Sequence, residues 1–198
     1  MNQPDQVPTP VSPSPDLNIL VVDLDHSLVR TDLLAESFFS SLSRCWHIPL
    51  SALWALMRGG RPQLKQHLAA HSSINYDRLP YNTEVLDLVR LWKSKGARIV
   101  LATGSDHRCA QAVADHLEIF DEVYASDGKL NLSGHRKAEF LAGRYGSERF
   151  AYVGDHRRDL PVWRRSAAAI TVGASHRLRR QVEGIPGIQV QHLKNPPA

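Results

Sequence analysis

Short apolar runs alternate with longer amphipathic segments along most of the chain. Five runs are rich in β-branched and other apolar residues and have the length of buried strands: 18–22, 98–102, 122–125, 150–153 and 168–172. Runs that are apolar at nearly every position are typical of strands covered on both faces. They predict a sheet that lies between two layers of helices.

Helical spacing occurs between these strands. The segments 82–95, 106–117 and 135–145 place apolar residues three or four positions apart. Asn82 is suited to cap the first of these helices, and Gly96 is suited to end it. Alternating strands and helices predict parallel strands joined by right-handed crossovers, that is, a doubly wound α/β fold. Such a fold places its ligand site at the carboxyl ends of the strands.

One interval is too long for a single crossover. Residues 23–97 separate the first predicted strand from the second, which is about twice the length that one helical crossover needs. We therefore expect residues 32–80 to be an insert, with helices over 33–45, 50–58 and 62–71. A helical insert beside the site can act as a lid.

The two ends of the chain differ from its middle in composition. Residues 1–16 contain five of the twelve prolines and few apolar residues, which predicts a disordered tail. Residues 194–198 are expected to be a frayed end. The core domain would then consist of residues 17–31 and 81–193.

Composition excludes several classes of protein. The chain has 198 residues, of which 42% are hydrophobic and 22% charged, as in ordinary globular domains. No run approaches 18 apolar residues, so no membrane span is expected. The N-terminus lacks the basic and apolar regions of a secretory signal, which favours a cytoplasmic location. Cys45 and Cys109 belong to no paired motif, which argues against a disulfide framework or a zinc site.

Charge is unevenly distributed along the chain. Residues 129–198 hold 13 Lys/Arg and 5 Asp/Glu, a net charge of +8, and the remainder holds 11 and 15, a net charge of −4. Such a segment can attract nucleic acid, an anionic membrane surface or phosphorylated small molecules. No nucleic-acid-binding motif accompanies the charge, so a solvated surface is favoured and no nucleic-acid partner is expected.

Each of four predicted strand ends is followed by a group suited to phosphate or metal chemistry. In chain order these groups are Asp23 with Asp25, Thr103 with Gly104, Lys137, and Asp155 with Asp159. In a parallel sheet these four ends converge. Four carboxylates cannot all be ionised together without a cation, and ligands that offer only oxygen suit Mg²⁺. The pattern therefore predicts phosphoryl chemistry.

These groups, in this order, resemble the four motifs of the haloacid-dehalogenase (HAD) superfamily. The segments are VVDLDHSL, LATGS, Lys137 within GHRKAEF, and VGDHRRD, and the resemblance covers roughly residues 17–185. Within the superfamily the chain is most similar to the HAD domain associated with ubiquinone-type membrane prenyltransferases, on the segments VDLDxSLxRTDLLxE, LPYN, FDEVxASDG and YVGDxRxDLPVW. The resemblance implies a Rossmann-like core with a small helical cap inserted after the first strand.

The resemblance also implies catalytic roles. Asp23 would be the nucleophile that forms an aspartyl-phosphate. Asp25 would be the general acid that protonates the leaving oxygen and then the base that activates water. Thr103 and the backbone N–H of Gly104 would bind the phosphoryl oxygens, and Lys137 would neutralise charge on the phosphoryl group and the nucleophile.

A metal site follows from the same resemblance. Mg²⁺ would be held by the Asp23 carboxylate, the Asp25 main-chain carbonyl and Asp155. For Asp159 two roles are open: a ligand through water, or a group that orients Lys137.

The expected function is that of a Mg²⁺-dependent phosphatase that hydrolyses a phosphate monoester of a small metabolite. Asp25 favours phosphate over halide removal, because family members that remove halides lack this second carboxylate. The alternative is a non-catalytic or weakly catalytic module that binds a phosphorylated ligand and acts with a membrane prenyltransferase.

One position departs from the family pattern. His26 and Ser27 stand where glycine and threonine usually follow the second aspartate. Serine keeps the hydroxyl, whereas histidine replaces a residue that tolerates unusual backbone angles. The expected consequence is an altered turn at the entrance to the insert, or an imidazole directed into the site.

Overall fold

The fold is a single parallel sheet between helices, as the sequence predicts. A computed structural model describes residues 10–31, 76–127 and 131–194. The strands are β1 (Ile19–Val22), β2 (Arg98–Asp106), β3 (Glu122–Ser126), β4 (Ala151–Gly154), β5 (Ala168–Val172) and β6 (Gln189–Leu193). Their spatial order is β3-β2-β1-β4-β5-β6, and every pair is parallel.

Helices connect these strands. They are α1 (Thr83–Ser94), α2 (His107–Leu117), α3 (His135–Tyr145), α4 (Leu160–Trp163) and α5 (His176–Glu183). Short 3-10 helices occupy Tyr76–Arg78 and Arg157–Asp159. The three helices predicted from apolar spacing are therefore confirmed to within one residue at each end.

The strand order places the switch point of the sheet beside β1. The chain builds outward from β1 through β2 to β3, and then returns to the other side of β1 with β4. Val22 is in register with Leu101 of β2 on one side and with Val153 of β4 on the other. Loops that follow β1 and β4 therefore diverge at their carboxyl ends, which is where doubly wound sheets bind ligands.

Local signals in the sequence explain where α1 begins and ends. The side-chain oxygen of Asn82 accepts hydrogen bonds from the N–H groups of Glu84 and Val85, at 3.1 and 3.4 Å. Gly96 follows the helix with a φ of 79°, a conformation that favours glycine. Both predictions for this helix are confirmed.

The sheet separates two hydrophobic cores. On one face, β1 residues such as Leu20 and Val22 pack with α1 and α2 around Trp92. On the other face, Val21 packs with α3, α4 and α5 around Trp163. Neighbouring β1 residues thus enter opposite cores, which explains why the strand is apolar at every position.

Two parts of the structure differ from the sequence prediction. Strand β6 was not predicted, because its residues alternate between polar and apolar and it lies at the edge of the sheet. The tail predicted for residues 1–16 is shorter among the described residues: Val11 is 3% exposed and its N–H donates to the side chain of Gln191 at 2.9 Å. Val11 therefore packs against the domain, within the segment that was predicted to be disordered.

The predicted cap lies almost wholly outside the described residues. Of residues 32–80, the structure describes only the last five, which include the 3-10 helix Tyr76–Arg78. Residues 1–9 and 195–198 are also outside the described ranges. In the parts of the chain that are described, none of the helices has both the length and the apolar composition needed to cross a bilayer.

Candidate active site

Two carboxylates lie side by side where β1 and β4 end. Asp23 follows β1 directly, and its N–H donates to the carbonyl of Val153 at 3.0 Å. Asp155 follows β4 directly. Because the two strands are hydrogen-bonded neighbours, the fold brings together groups that are far apart in the chain.

Lys137 lies in the first turn of α3 and is directed back into the sheet. Its side chain is 3% exposed, and its Nζ lies 2.6 Å from Oδ1 of Asp23. Gly134, which precedes the helix, has a φ of 57°, and this left-handed turn sets the direction from which α3 approaches. The predicted pairing of Lys137 with the first aspartate is present in the structure.

Asp23, Asp155 and Asp159 form a carboxylate cluster. One oxygen of each lies within 4.8 Å of the others. Three carboxylates face one lysine ammonium, so the cluster carries an excess of negative charge when all of its groups are ionised. Oxygen donors with this charge suit a hard divalent cation, and the residues therefore fit Mg²⁺.

Two carboxyl groups of the cluster have raised pKa values, mainly because they are buried. Burial raises the pKa of Asp23 from its ordinary value of 3.8 to about 7, although the Lys137 ammonium opposes the shift. Burial, followed by the charges of Asp23 and Asp159, raises the pKa of Asp155 to about 7 as well. A cation bound at this position would favour the ionised form of both groups.

Lys137 itself stays charged. Burial alone would lower the pKa of its amine, but the carboxylates of Asp23 and Asp159 outweigh burial and leave that pKa above its ordinary value. A permanently cationic group next to Asp23 is what neutralisation of a transferring phosphoryl group requires.

Tyr152 is a member of the site that the sequence reasoning missed. Its hydroxyl accepts a hydrogen bond from Lys137 Nζ at 2.8 Å and donates one to Asp159 Oδ1 at 2.9 Å. Burial, with the charges of Asp159 and Asp23, raises the pKa of the phenol well above its ordinary value of 10, so it stays protonated. The hydroxyl of a tyrosine in a fully buried strand needs a polar partner. A tyrosine in the predicted strand 150–153, just before Asp155, could therefore have indicated a contact with the site.

Asp159 lies in the 3-10 helix after β4, and both of its oxygens are hydrogen-bonded. Oδ1 accepts from Tyr152, and Oδ2 accepts from the N–H of His156 at 3.1 Å. Its distance to Lys137 Nζ is 3.9 Å. Of the two roles left open by the sequence, these contacts favour the one in which Asp159 orients Lys137, and they do so through the Tyr152 hydroxyl rather than through a close ion pair.

Asp25 is half-buried, and its charge lies close enough to Asp23 to raise the pKa of that carboxyl. The hydroxyl of Ser105 donates a short hydrogen bond to Oδ2 of Asp25. Ser105 in turn donates its N–H to Oγ1 of Thr103 at 3.0 Å. The last part of β2 thus contacts the predicted general acid.

Thr103 and Gly104 lie in the second half of β2, which is the neighbour of β1 and continues beyond the predicted strand 98–102 to Asp106. Thr103 is fully buried, and a side chain at Gly104 would place its Cβ 3.3 Å from Cβ of Ser133. The loop before α3 therefore packs closely on this glycine. The structure brings both residues to the edge where Asp23 lies, and their phosphate-binding roles stay predictions.

The turn after Asp25 explains the departure at His26. His26 has a φ of 57°, so the position adopts the conformation for which glycine is usual. Its Nδ1 is 3.3 Å from the carbonyl of Arg30, which fastens the turn. Its imidazole lies close enough to oppose the rise in the pKa of Asp155, and Ser27 donates to that carboxylate at 3.5 Å.

One curated protein is similar to this chain in sequence. An uncharacterized protein, y4nM, of Sinorhizobium fredii is 34% identical over 176 residues, which are 88% of this chain and 33% of the relative. The chain thus spans about a third of the length of that curated relative.

Solved structures share the fold. A HAD family hydrolase, t0658, from Salmonella enterica serovar Typhi matches with a TM-score of 0.61 and 17% identity over 86% of this chain and 67% of the other. A phospho-aspartyl intermediate analogue of phosphoserine phosphatase matches with a TM-score of 0.57 and 16% identity over 90% and 93%. At these identities the likeness shows the fold alone.

The family itself is shown by its sequence model. The model of the haloacid dehalogenase-like hydrolases matches residues 20–164, a range that contains Asp23, Lys137 and the carboxylate cluster. This range also includes the switch point of the sheet between β1 and β4. Fold, site and sequence match agree, and the chain belongs to the haloacid dehalogenase-like hydrolase family.

Proposed function

We propose that this chain is a Mg²⁺-dependent phosphatase that hydrolyses a phosphate monoester of a small metabolite through an aspartyl-phosphate. One observation carries the proposal: the buried Lys137 ammonium lies 2.6 Å from Asp23, within a carboxylate cluster at the switch point of the sheet. A carboxylate that is neutralised by a fixed cation can approach a phosphate dianion without the full cost of charge repulsion.

The reaction proceeds in two displacements at phosphorus. An oxygen of Asp23 attacks the phosphoryl group, the new O–P bond forms, and the ester O–P bond breaks. Asp25 gives its proton to the departing oxygen and then takes one from the attacking water. Water releases inorganic phosphate and regenerates Asp23.

Each residue of the site has a part in these steps. Lys137 holds positive charge beside the transferring group, and Ser105 holds the carboxyl of Asp25 at the leaving-group side. Asp23 and Asp155 would hold Mg²⁺, which neutralises phosphoryl charge when bound. Thr103 and the N–H of Gly104 would receive the phosphoryl oxygens.

The substrate class rests on the insert. A small helical cap, as predicted for residues 32–80, would shelter the site more than a bare core does, which favours small metabolites over phosphoproteins. The phospho-aspartyl intermediate analogue named for a phosphoserine phosphatase of the same fold agrees with the proposed intermediate. A membrane prenyltransferase partner stays a prediction, as does any kinship with the prenyltransferase-associated domains.

Phosphate release from a panel of phosphorylated metabolites tests the proposal. The panel is run with and without Mg²⁺, on the wild type and on Asp23→Asn. Asp115→Asn is the matched control, because Asp115 is an exposed carboxylate on α2 that bonds only Gln111 among the described contacts.

The expected result is release that requires Mg²⁺, vanishes in Asp23→Asn and is unchanged in Asp115→Asn. Release that persists in Asp23→Asn would contradict the aspartyl-phosphate. A folded wild type that binds Mg²⁺ but releases no phosphate from any compound would favour the binding-module alternative.

A further inference from the structure

We propose that Tyr152 is a positioning residue that holds the Lys137 ammonium on Asp23 and keeps it off Asp159. Its effect on catalysis rests on the proposed function, whereas its effect on the position of Lys137 does not. Tyr152 lies in β4, two positions before Gly154. None of the four segments that resemble the superfamily's motifs includes it.

The ammonium of Lys137 lies near two carboxylates. Its Nζ lies 2.6 Å from Asp23 and 3.9 Å from Asp159. The Tyr152 hydroxyl occupies the space on the Asp159 side, where it accepts from Nζ at 2.8 Å and donates to Asp159 at 2.9 Å. Both groups are thus hydrogen-bonded to the hydroxyl, and the ion pair of Lys137 with Asp159 stays the longer of the two, at 3.9 Å.

The surroundings of Tyr152 fix its hydroxyl in this place. The residue is fully buried, and its ring meets Trp163 edge to face at a centroid distance of 6.2 Å. Trp163 is itself held by a hydrogen bond from its indole N–H to the carbonyl of Tyr152 at 3.2 Å. Because the ring has little room to move, the hydroxyl acts as a rigid spacer between Lys137 and Asp159.

Gly154 makes room for this arrangement. Residues two apart in a strand share a face, so a side chain at this position would meet Tyr152. A Cβ at Gly154 would lie 2.8 Å from Cε1 of Tyr152 and 2.8 Å from Oδ2 of Asp159. The absence of a side chain at Gly154 therefore lets the Tyr152 ring and the Asp159 carboxylate lie next to each other. Tyr152 and the glycine that makes room for it are both part of the segment Tyr-Val-Gly-Asp.

Loss of the hydroxyl should redistribute the ammonium. Asp159 would lose a donor inside a buried site, and the nearest replacement is Lys137 Nζ. An ammonium shared between Asp23 and Asp159 neutralises the nucleophile less well. This defect affects the transition state more than ground-state binding, so kcat should fall while KM changes little.

Tyr152→Phe is the decisive variant. Phenylalanine keeps the ring against Trp163 and keeps the ring face, whose centroid lies 5.4 Å from Lys137 Nζ. Tyr124→Phe is the matched control, because the Tyr124 hydroxyl also lies between a cation and a carboxylate: Arg144 donates to it at 3.2 Å, and it donates to Glu122.

Two measurements are made on both variants. The first is functional: kinetics with p-nitrophenyl phosphate at saturating Mg²⁺ gives kcat and KM, and calorimetry gives the affinity for Mg²⁺. The other is a crystal structure of the metal-free protein, which reports the distances from Lys137 Nζ to Asp23 and Asp159.

In Tyr152→Phe we expect kcat to fall by roughly tenfold or more, with KM and Mg²⁺ affinity within about twofold, and Nζ to move toward Asp159. Tyr124→Phe should leave all of these unchanged. If Nζ stays on Asp23 at its wild-type distance in the Tyr152→Phe crystal, or if kcat stays within twofold in an active enzyme, the positioning role is overturned. A wild type that is inactive on every substrate counts against the proposed function instead, and the crystal distances then decide the role of Tyr152.

Discussion

Nζ of Lys137 lies 2.6 Å from Oδ1 of Asp23, although 114 positions separate the two residues in the chain. The contact joins the first turn of α3 to the end of β1. The two elements meet because β1 lies in the middle of the parallel sheet and ends at the edge where α3 begins. The buried lysine is therefore part of the fold and of the candidate chemistry at once.

Lys137→Met should abolish most of the activity. Methionine keeps much of the length but leaves Asp23 and the transferring phosphoryl group without a fixed cation, and loss of such a group costs on the order of 10²–10³ in kcat. Removal of one partner of a buried pair should also lower the free energy of unfolding by about 3 kcal/mol. Steady-state kinetics and urea unfolding measure the two effects, with the exposed Lys95→Met as control. Activity close to wild type in Lys137→Met would contradict the assigned role.

The stabilising effect of Mg²⁺ should grow with pH. Asp23 and Asp155 have folded pKa values of about 7 against an ordinary 3.8. Between these values the folded protein holds more protons than the unfolded chain, so the metal-free protein loses stability as pH rises from about 4 to about 7. Mg²⁺ binds the ionised carboxylates and competes with protons. The rise in Tm on addition of Mg²⁺ should therefore be larger at pH 8 than at pH 5.

Thermal unfolding with and without Mg²⁺ at the two pH values checks this expectation. Asp155→Asn should lose most of the Mg²⁺-dependent rise, whereas Asp87→Asn, an exposed residue of α1, should keep it. An equal rise at both pH values would show that the cluster does not exchange protons for the metal.

Ser105→Ala should affect poor leaving groups selectively. Ser105 donates to Asp25, the proposed general acid, and an acid matters most when the departing alkoxide is basic. We expect kcat to fall by about tenfold for an alkyl phosphate and to change little for p-nitrophenyl phosphate. Ser94→Ala, which removes an exposed hydroxyl on α1, is the control. Equal losses on both substrates would contradict the link to proton transfer.

Much of the fold could be predicted because its signals are local. The strand β1 is apolar at every position since its residues enter both cores, and Asn82 and Gly96 define α1 through short-range hydrogen bonds and backbone geometry. Strand β6 gave no such signal: its half-exposed residues alternate, and the pairing with β5 is visible only once the sheet exists.

The site could be predicted only in part for a related reason. Convergence of strand ends indicated Asp23, Lys137 and Asp155, because the topology alone brings those positions together. Tyr152 was missed because its role depends on the direction of one side chain within a buried strand. The space for its ring is left by Gly154, and the hydrophobic periodicity of the sequence does not reveal that space.

His26→Gly should stabilise the protein. His26 adopts a φ of 57°, which is strained for a residue with a side chain. Glycine removes this strain but loses more backbone entropy on folding, so the net gain in the free energy of unfolding should be roughly 0.5–1 kcal/mol. Glu148→Gly is the matched control, since Glu148 has a φ of 59° outside the site and should show the same gain.

The two glycine variants should differ in their response to Mg²⁺. Loss of the His26 imidazole removes a group that lowers the pKa of Asp155. When charged, that imidazole also repels Mg²⁺, and its repulsion of a dication outweighs the ionisation of Asp155 that it favours. Less Mg²⁺ should therefore be needed for half-maximal activity at pH 6 in His26→Gly, and the same amount as in the wild type in Glu148→Gly. Urea unfolding and Mg²⁺ titrations of activity make the measurements, and equal Mg²⁺ requirements would show that the imidazole does not act on the Mg²⁺ site.

Gly154→Ala should damage the site through crowding alone. The added methyl group would lie 2.8 Å from both Tyr152 Cε1 and Asp159 Oδ2, closer than folded proteins tolerate, so one of the two must move. We expect a loss of about 1–3 kcal/mol in the free energy of unfolding, together with a fall in kcat that resembles that of Tyr152→Phe. Gly143→Ala is the control: among the described residues, no atom outside its own stretch of helix lies within 4 Å of its Cβ position, and alanine in a helix should add up to about 1 kcal/mol. A Gly154→Ala enzyme with wild-type kcat would mean that neither the ring nor the carboxylate needs its present position, which would count against Tyr152 and Asp159 together.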